Sequence, residues 1–408
     1  MKGTQSLDSA KAIKQGATMF LFVILLANFF RNLGVSIVDI GLPSFVLNLS
    51  GTLTSYGLII GIFSITQSIF QFPMAMASDK YGRKVMVLIG ISVYIIGTFL
   101  CFIAQDVVQL IMFRAIQGAG AYTSILQAMI GDHYSKEQHG KGMAFYSFSL
   151  SLGYFGGIIV GGFVSFYLGF RSIFFISGSL ATISALLLFV FLKDPKLSKS
   201  IHIQNDETNF NENGGKPNLK LLLKENQFIL AVILNCIRWF LFGGIVVYII
   251  WVLQVNWGLN QIDTSFLMIF VVLLYIIFVI SSGRFIDRLG SKKIMLLGQG
   301  IIIGFGILFF IVSVTEDLWL FFFASLFSGI GFALFQTSGN SNLLDVIQKT
   351  HPELKGTGFG FNNALGFFCG ALGPIILSIL GEFSLFIPYY FIAVLVILAF
   401  FLAFKFIK

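Results

Sequence analysis

The sequence predicts an all-α integral membrane protein with twelve transmembrane helices arranged as two pseudo-symmetric six-helix bundles. Three observations carry that prediction. Hydrophobic residues make up 57% of the 408 residues and charged residues only 11%, too little polar surface for a water-soluble globule. Polar breaks divide the chain into apolar segments of about 20 residues or more, the length a helix needs to cross a ~30 Å hydrocarbon core. A short polar run also occurs twice, 208 positions apart: Ser78-Asp79-Lys80-Tyr81-Gly82-Arg83-Lys84, and Gly283-Arg284-Phe285-Ile286-Asp287-Arg288-Leu289-Gly290-Ser291-Lys292-Lys293. Each run separates two apolar stretches at an equivalent place, as expected of one membrane unit duplicated.

The twelve predicted spans are approximately 17–47, 53–77, 85–104, 107–131, 140–167, 172–192, 227–256, 263–286, 293–314, 318–346, 356–381 and 385–405. Runs such as Leu296 to Val314 show no in-and-out alternation, which excludes barrel strands. Positive charge sets the orientation: 22 of the 26 Lys and Arg residues fall on the termini and the even-to-odd connections, so both termini are predicted to be cytoplasmic. This asymmetry accounts for nearly all of the +8 net charge and requires no nucleic acid partner. The first apolar segment is too long for a cleavable leader and lacks a small-residue cleavage site.

Residues 193–226 interrupt the apolar pattern, running basic from Lys193 to Lys199 and then rich in Asn, Asp, Glu and Gly. Such composition buries too little apolar area to fold alone, so the expected domains are 1–192, a cytoplasmic linker 193–226, and 227–408. The repeat extends beyond the basic turns. Asn28-Phe29-Phe30-Arg31 matches Asn235-Cys236-Ile237-Arg238 at an offset of 207, and Gly140-x-Gly142 matches Gly356-x-Gly358 at an offset of 216. At that second offset Gly373 matches Gly157, while Cys369 stands opposite Gly153. Both halves start from the same side, making this a parallel repeat.

Three motifs carry a family resemblance. The first basic turn reads Ala75-x-x-x-Asp79-Lys80-x-Gly82-Arg83-Lys84. Its second copy has Gly283, Asp287, Arg288 and Gly290, with Ser291 where a further arginine usually stands. Arg114-Ala115-Ile116-Gln117-Gly118 supplies an intact Arg-x-x-Gln-Gly. With these, the chain resembles the major facilitator superfamily of secondary transporters across essentially its whole length. The resemblance implies that Asp79 meets the start of helix 11, near Gly356, and that Asp132 joins this network as a latch on the cytoplasmic side. On physical grounds a carboxylate at a helix end can bond exposed N–H groups and pair with Arg83. The alternative is that Lys80, Arg83 and Lys84 only enforce topology.

Gly153, Gly157, Gly161 and Gly162 recur at helical spacing on the fifth span, and such small faces let helices approach closely. In the family, a Gly-Pro-x-x-Gly-Gly form of this stretch resembles the pattern of proton-driven exporters. Here Ile158 replaces the proline, and the second half carries the pair as Gly373-Pro374.

The deep charges bear most on substrate handling. Arg31 and Arg238 lie about eleven to fourteen residues from a cytoplasmic end, hence near mid-membrane at ~1.5 Å per residue. An unpaired arginine there costs at least ~2.5–3.5 kcal/mol, so each should meet a watery cavity or a partner. Their repeat symmetry suits a clamp on an anionic substrate; local partners such as Asn28 and Asn235 would make them structural instead. Asp39 is the only carboxylate well inside a span. A carboxyl there can bind and release a proton, unless Arg114 holds it permanently paired.

No nucleophile–base–acid set, phosphate-cradling loop or metal-ligand spacing occurs, so no enzyme activity, cofactor or metal is expected. Cys101, Cys236 and Cys369 read as buried filler, and Trp257, Trp319, Tyr389 and Tyr390 as aromatic anchors at the outer interface. The expected function is secondary active transport by alternating access, with export of small hydrophobic or amphipathic compounds driven by protons. Uptake or exchange of an organic anion held by Arg31 and Arg238 is the alternative. A transporter-derived membrane sensor would usually need an added signalling domain. The expected partners are a small-molecule substrate, the proton and the bilayer of the plasma membrane, with the chain working as a monomer.

Overall fold

A computed structural model describes residues 2–133, 139–192, 219–315 and 317–407, and their regular structure is helical. In chain order the elements are α1 (Lys2–Asn48), α2 (Leu53–Tyr81), α3 (Arg83–Ile103), α4 (Val107–Ala119), α5 (Thr123–His133), α6 (His139–Leu168) and α7 (Ser172–Phe191). There follow α8 (Leu219–Leu222), α9 (Asn226–Trp251) with a π-helical turn at Val252–Asn256, α10 (Gln261–Leu289), α11 (Ser291–Thr315), α12 (Leu318–Thr350), α13 (Lys355–Phe383) and α14 (Ile387–Phe406). Among the described residues, eleven helices are long and apolar enough to cross a membrane.

The fourth predicted span, 107–131, is broken into α4 and α5. Gly120 sits at the break, pressed onto α3: a Cβ there would lie 2.5 Å from both the Gly90 carbonyl oxygen and the Tyr94 nitrogen. Only glycine fits so close an approach. Both basic turns also pivot on glycine, with φ of 97° at Gly82 and 86° at Gly290, a left-handed conformation that other residues rarely adopt.

The chain forms two compact units, Met1–Leu42 with Thr66–Asn213, and Pro43–Ile65 with Gly214–Lys408. In the first, α6 packs on α1 through its glycine stripe. A Cβ on Gly153 would run into the Phe29 carbonyl oxygen, one on Gly157 into that of Leu33, and one on Gly161 would lie 2.9 Å from the Ile37 Cα. Gly162 is buried beside them. The switch from one unit to the other falls at Pro43. Lacking an N–H, Pro43 removes the ladder bond that its position would give to the Asp39 carbonyl.

In the second unit, residues 43–65 pack on α9 and α13. Thr54 donates from its backbone N and its hydroxyl to Glu382 Oε2 (3.0 and 3.1 Å), and the Tyr56 ring lies 5.2 Å from that of Trp251. A Cβ on Gly57 would lie 2.5 Å from the Pro374 carbonyl oxygen. Tyr389, expected as an interface anchor, is instead 1% exposed and stacked on Phe309 at 3.8 Å, because α11, α12 and α14 converge on an aromatic core there. Trp319 and Tyr390 are exposed, while Trp257 is half-buried against Phe321. The end of the predicted linker is folded: Leu222 on α8 is buried with Phe228, Val232, Leu343 and Ile347, since 219–223 is rich in leucine. Residues 193–218 lie outside the described residues.

Candidate functional site

Asp39 on α1 sits in a polar string that crosses the first unit. Its Oδ2 accepts a hydrogen bond from the Tyr154 hydroxyl on α6 at 3.2 Å, and the Arg114 guanidinium on α4 acts on it electrostatically. Arg114 Nη1 donates to Gln117 Oε1 at 2.7 Å, Gln117 Nε2 donates to Thr98 Oγ1 at 2.7 Å, and Thr98 donates to the Tyr94 carbonyl at 2.7 Å. Arg114, Gln117 and Thr98 are buried. Glycine makes room for this string: a Cβ on Gly97 would run into the Gln117 backbone, so α3 and α4 meet where the Arg-x-x-Gln-Gly motif stands. Burial disfavours the charge of this carboxyl while the guanidinium and the hydroxyl donor favour it, and on taking up a proton it loses most of its attraction for the arginine.

The two deep arginines have different surroundings. Arg31 lies 5.8 Å from the centroids of both the Tyr94 and Tyr122 rings. Its Nη1 reaches Asn32 Oδ1 only at 3.5 Å, and its Nε is buried without a hydrogen-bond partner. Asn28, the local partner expected from sequence, instead donates to the Tyr146 carbonyl and accepts from Asn32. Arg238, 2% exposed, donates from Nη1 to Gln336 Oε1 at 2.9 Å and from Nε to Asn235 Oδ1 at 3.4 Å. Gln336 Oε1 also accepts from the Tyr275 hydroxyl at 2.8 Å, and Trp239 stacks beside Arg238 at 4.9 Å. Both guanidinium groups thus meet neutral amides and aromatic faces.

For the expected latch, the Asp79 and Asp132 side chains lie outside the described residues. Arg83 is half-buried at the start of α3, and Asp287 and Arg288 are exposed at the end of α10. Asp345 near the end of α12 accepts from Ser291 at 3.5 Å, a contact across the second unit that the sequence reading did not foresee. Also missed were Tyr154, Thr98, Tyr94, Tyr122, Tyr275 and Gln336. Each is an uncharged polar residue inside an apolar span, and the available signal was that position alone. Gly373 belongs to the α9–α13 seam, where a Cβ would meet the Phe240 carbonyl oxygen, and Pro374 stands within α13.

Duplicated basic turns, long apolar helices and charged residues set deep within them define a multi-pass membrane protein built from repeats. A profile of the Major Facilitator Superfamily matches residues 24–374, and the chain belongs to that family. The chain is 31% identical over 136 residues to an uncharacterized transporter of Buchnera aphidicola, a match covering 33% of this chain and 35% of that relative. The chain thus spans only about a third of the length of that relative. A longer alignment, 24% identical over 376 residues, covers 90% of this chain and 91% of Multidrug resistance protein 2 of Bacillus subtilis. Among solved structures, a D-xylose-proton symporter superposes with a TM-score of 0.75 at 14% identity, covering 96% of this chain and 98% of that one; this shows the fold alone.

Proposed function

We propose that this transporter exports small hydrophobic or amphipathic compounds in exchange for protons, by alternating access, from a plasma membrane in which both termini are cytoplasmic. The observation that carries the reading is Asp39, the one carboxylate well inside a span, bonded to Tyr154 and within electrostatic reach of Arg114. Ionisable groups at membrane depth usually mark ion pathways. The similarity to a protein named for multidrug resistance supports the substrate class. The site residues are then Asp39 as proton carrier, Arg114 and Gln117 as its charge partner and relay, and Arg31, Asn235 and Arg238 along the substrate path. Asp79, Gly82, Arg83 and Asp132 act as the cytoplasmic latch, with Asp287, Arg288 and Gly290 as its counterpart.

The test is Asp39→Asn in liposomes with an imposed pH gradient, screened against cationic drugs, organic anions and sugars. Gradient-driven transport is expected to disappear while substrate exchange continues. Wild-type gradient-driven rates in the variant would remove Asp39 as the carrier.

One observation favours a second reading, exchange of an organic anion: the buried Arg31 Nε has no hydrogen-bond partner. Planar, two-pronged recognition by guanidinium is lost in lysine. Under this reading, Arg31→Lys would abolish uptake of organic anions while leaving stability unchanged.

A further inference from the structure

Cys236 on α9 and Cys369 on α13 stand at one level of the seam between their helices, each four residues before the close contact of Phe240 with Gly373, and their thiols are near enough to interact. Both are partly buried, Cys236 packing against the Leu222 and Phe228 cluster, whereas Cys101 is fully buried. The seam between their helices is close. A Cβ on Gly243 would run into the Gly370 carbonyl oxygen, one on Gly373 into that of Phe240, and one on Gly366 into the Trp239 ring. Backbones normally stand 8–10 Å apart across packed helices, and small residues are what allow a nearer approach.

The first repeat builds the same seam differently. Cys236 corresponds to Phe29 and Cys369 to Gly153, and there the glycine is pressed against the phenylalanine carbonyl. The second repeat has placed two thiols at a contact that the first makes without sulfur. Packing does not require this, since glycine serves the first repeat at the same place.

We propose that Cys236 and Cys369 form a dithiol that a small hydroperoxide closes into a disulfide joining α9 to α13. One thiol takes an oxygen atom from the peroxide, which leaves as water or an alcohol, and becomes a sulfenic acid. The neighbouring sulfur then attacks it. The S–S bond forms, the S–O bond breaks, and hydroxide leaves as water with the second thiol's proton. The two electrons that reduce the O–O bond come from the two thiols. A disulfide needs Cβ atoms about 3.5–4.5 Å apart, a separation that a close helix seam such as this one allows. Cys236 lies two positions before Arg238, so the cross-link would tie the helix carrying the second repeat's deep charge to its packing partner.

The experiment exposes the full chain in membrane vesicles to hydrogen peroxide, then alkylates free thiols, digests and analyses by mass spectrometry. The expected product is a linked peptide pair containing Cys236 and Cys369, two hydrogens lighter than the separate peptides and restored by a thiol reductant, with Cys101 still alkylated. In Cys369→Ser, oxidation of Cys236 should stop at the sulfenic acid and become trappable by dimedone. Peroxide-treated wild type in which both cysteines remain alkylated, or in which each carries its own sulfenic or sulfinic acid, would overturn the proposal. That measurement does not depend on the variant folding.

Discussion

Asp39, Arg114, Gln117 and Tyr154 of the first repeat correspond to Val246, Ser325, Ser328 and Gly370 of the second. The halves share their frame. Asp106 caps α4 as Asp317 caps α12, and Gly120 against Gly90 on α3 is matched by Gly331 against Gly298 on α11. Among the described residues, the string that joins a buried carboxylate to an arginine lies in the first half. Where the first repeat runs Tyr154 to Asp39 and Arg114 through Gln117 to Thr98, Ser325 and Ser328 donate to carbonyls of their own helix. The lesson is that duplicated packing tolerates divergence of what it encloses. Small residues at seams are constrained by backbone distance, whereas a polar string needs every member present to satisfy the others.

The sharpest way to break this comparison is to remove the same position in both halves. Arg114→Ala leaves Gln117 without its donor and Asp39 without its countercharge, and is expected to destabilise the protein by about 3–5 kcal/mol. Ser325→Ala removes one bond to its own helix, expected to cost about 1 kcal/mol. Thermal or denaturant unfolding of the two variants in detergent reads the difference, and equal losses would mean the string is no more than ordinary packing.

A smaller contrast separates the two arginines. Arg238→Lys loses the fork that reaches Gln336 and Asn235 together, an expected loss of about 1.5–3 kcal/mol. Arg31→Lys keeps a cation against the Tyr94 and Tyr122 rings, so about 1 kcal/mol or less is expected. If both arginines grip one anion, each lysine variant would instead lose anion binding at wild-type stability, and the double variant would lose less than the sum of the singles.

The smallest effect tests the shared frame. Asp106 Oδ1 accepts from the Gln109 N–H at 2.8 Å, and Asp317 Oδ1 from those of Trp319 and Leu320 at 2.8 and 3.3 Å. Asp106→Ala and Asp317→Ala should each cost about 1 kcal/mol and leave transport unchanged. A several-fold loss of transport from one but not the other would show that the halves differ even at their caps.

Apolar run length, charge asymmetry and the two basic turns were enough to predict a duplicated helical membrane protein, because the cost of burying polar backbone and charge in lipid is paid locally, residue by residue. The same logic singled out Asp39, Arg31 and Arg238 as out of place in their spans. What surrounds them was not legible. Tyr154 lies 115 positions from Asp39 and Gln336 lies 98 from Arg238, and nothing local in the chain specifies either pair. The break at Gly120, the burial of Tyr389 and the meeting of Cys236 with Cys369 likewise depend on which helices approach and how closely. Helix formation in a membrane is a property of each segment, but the contacts of a side chain belong to pairs of segments. Only the tertiary structure could decide them.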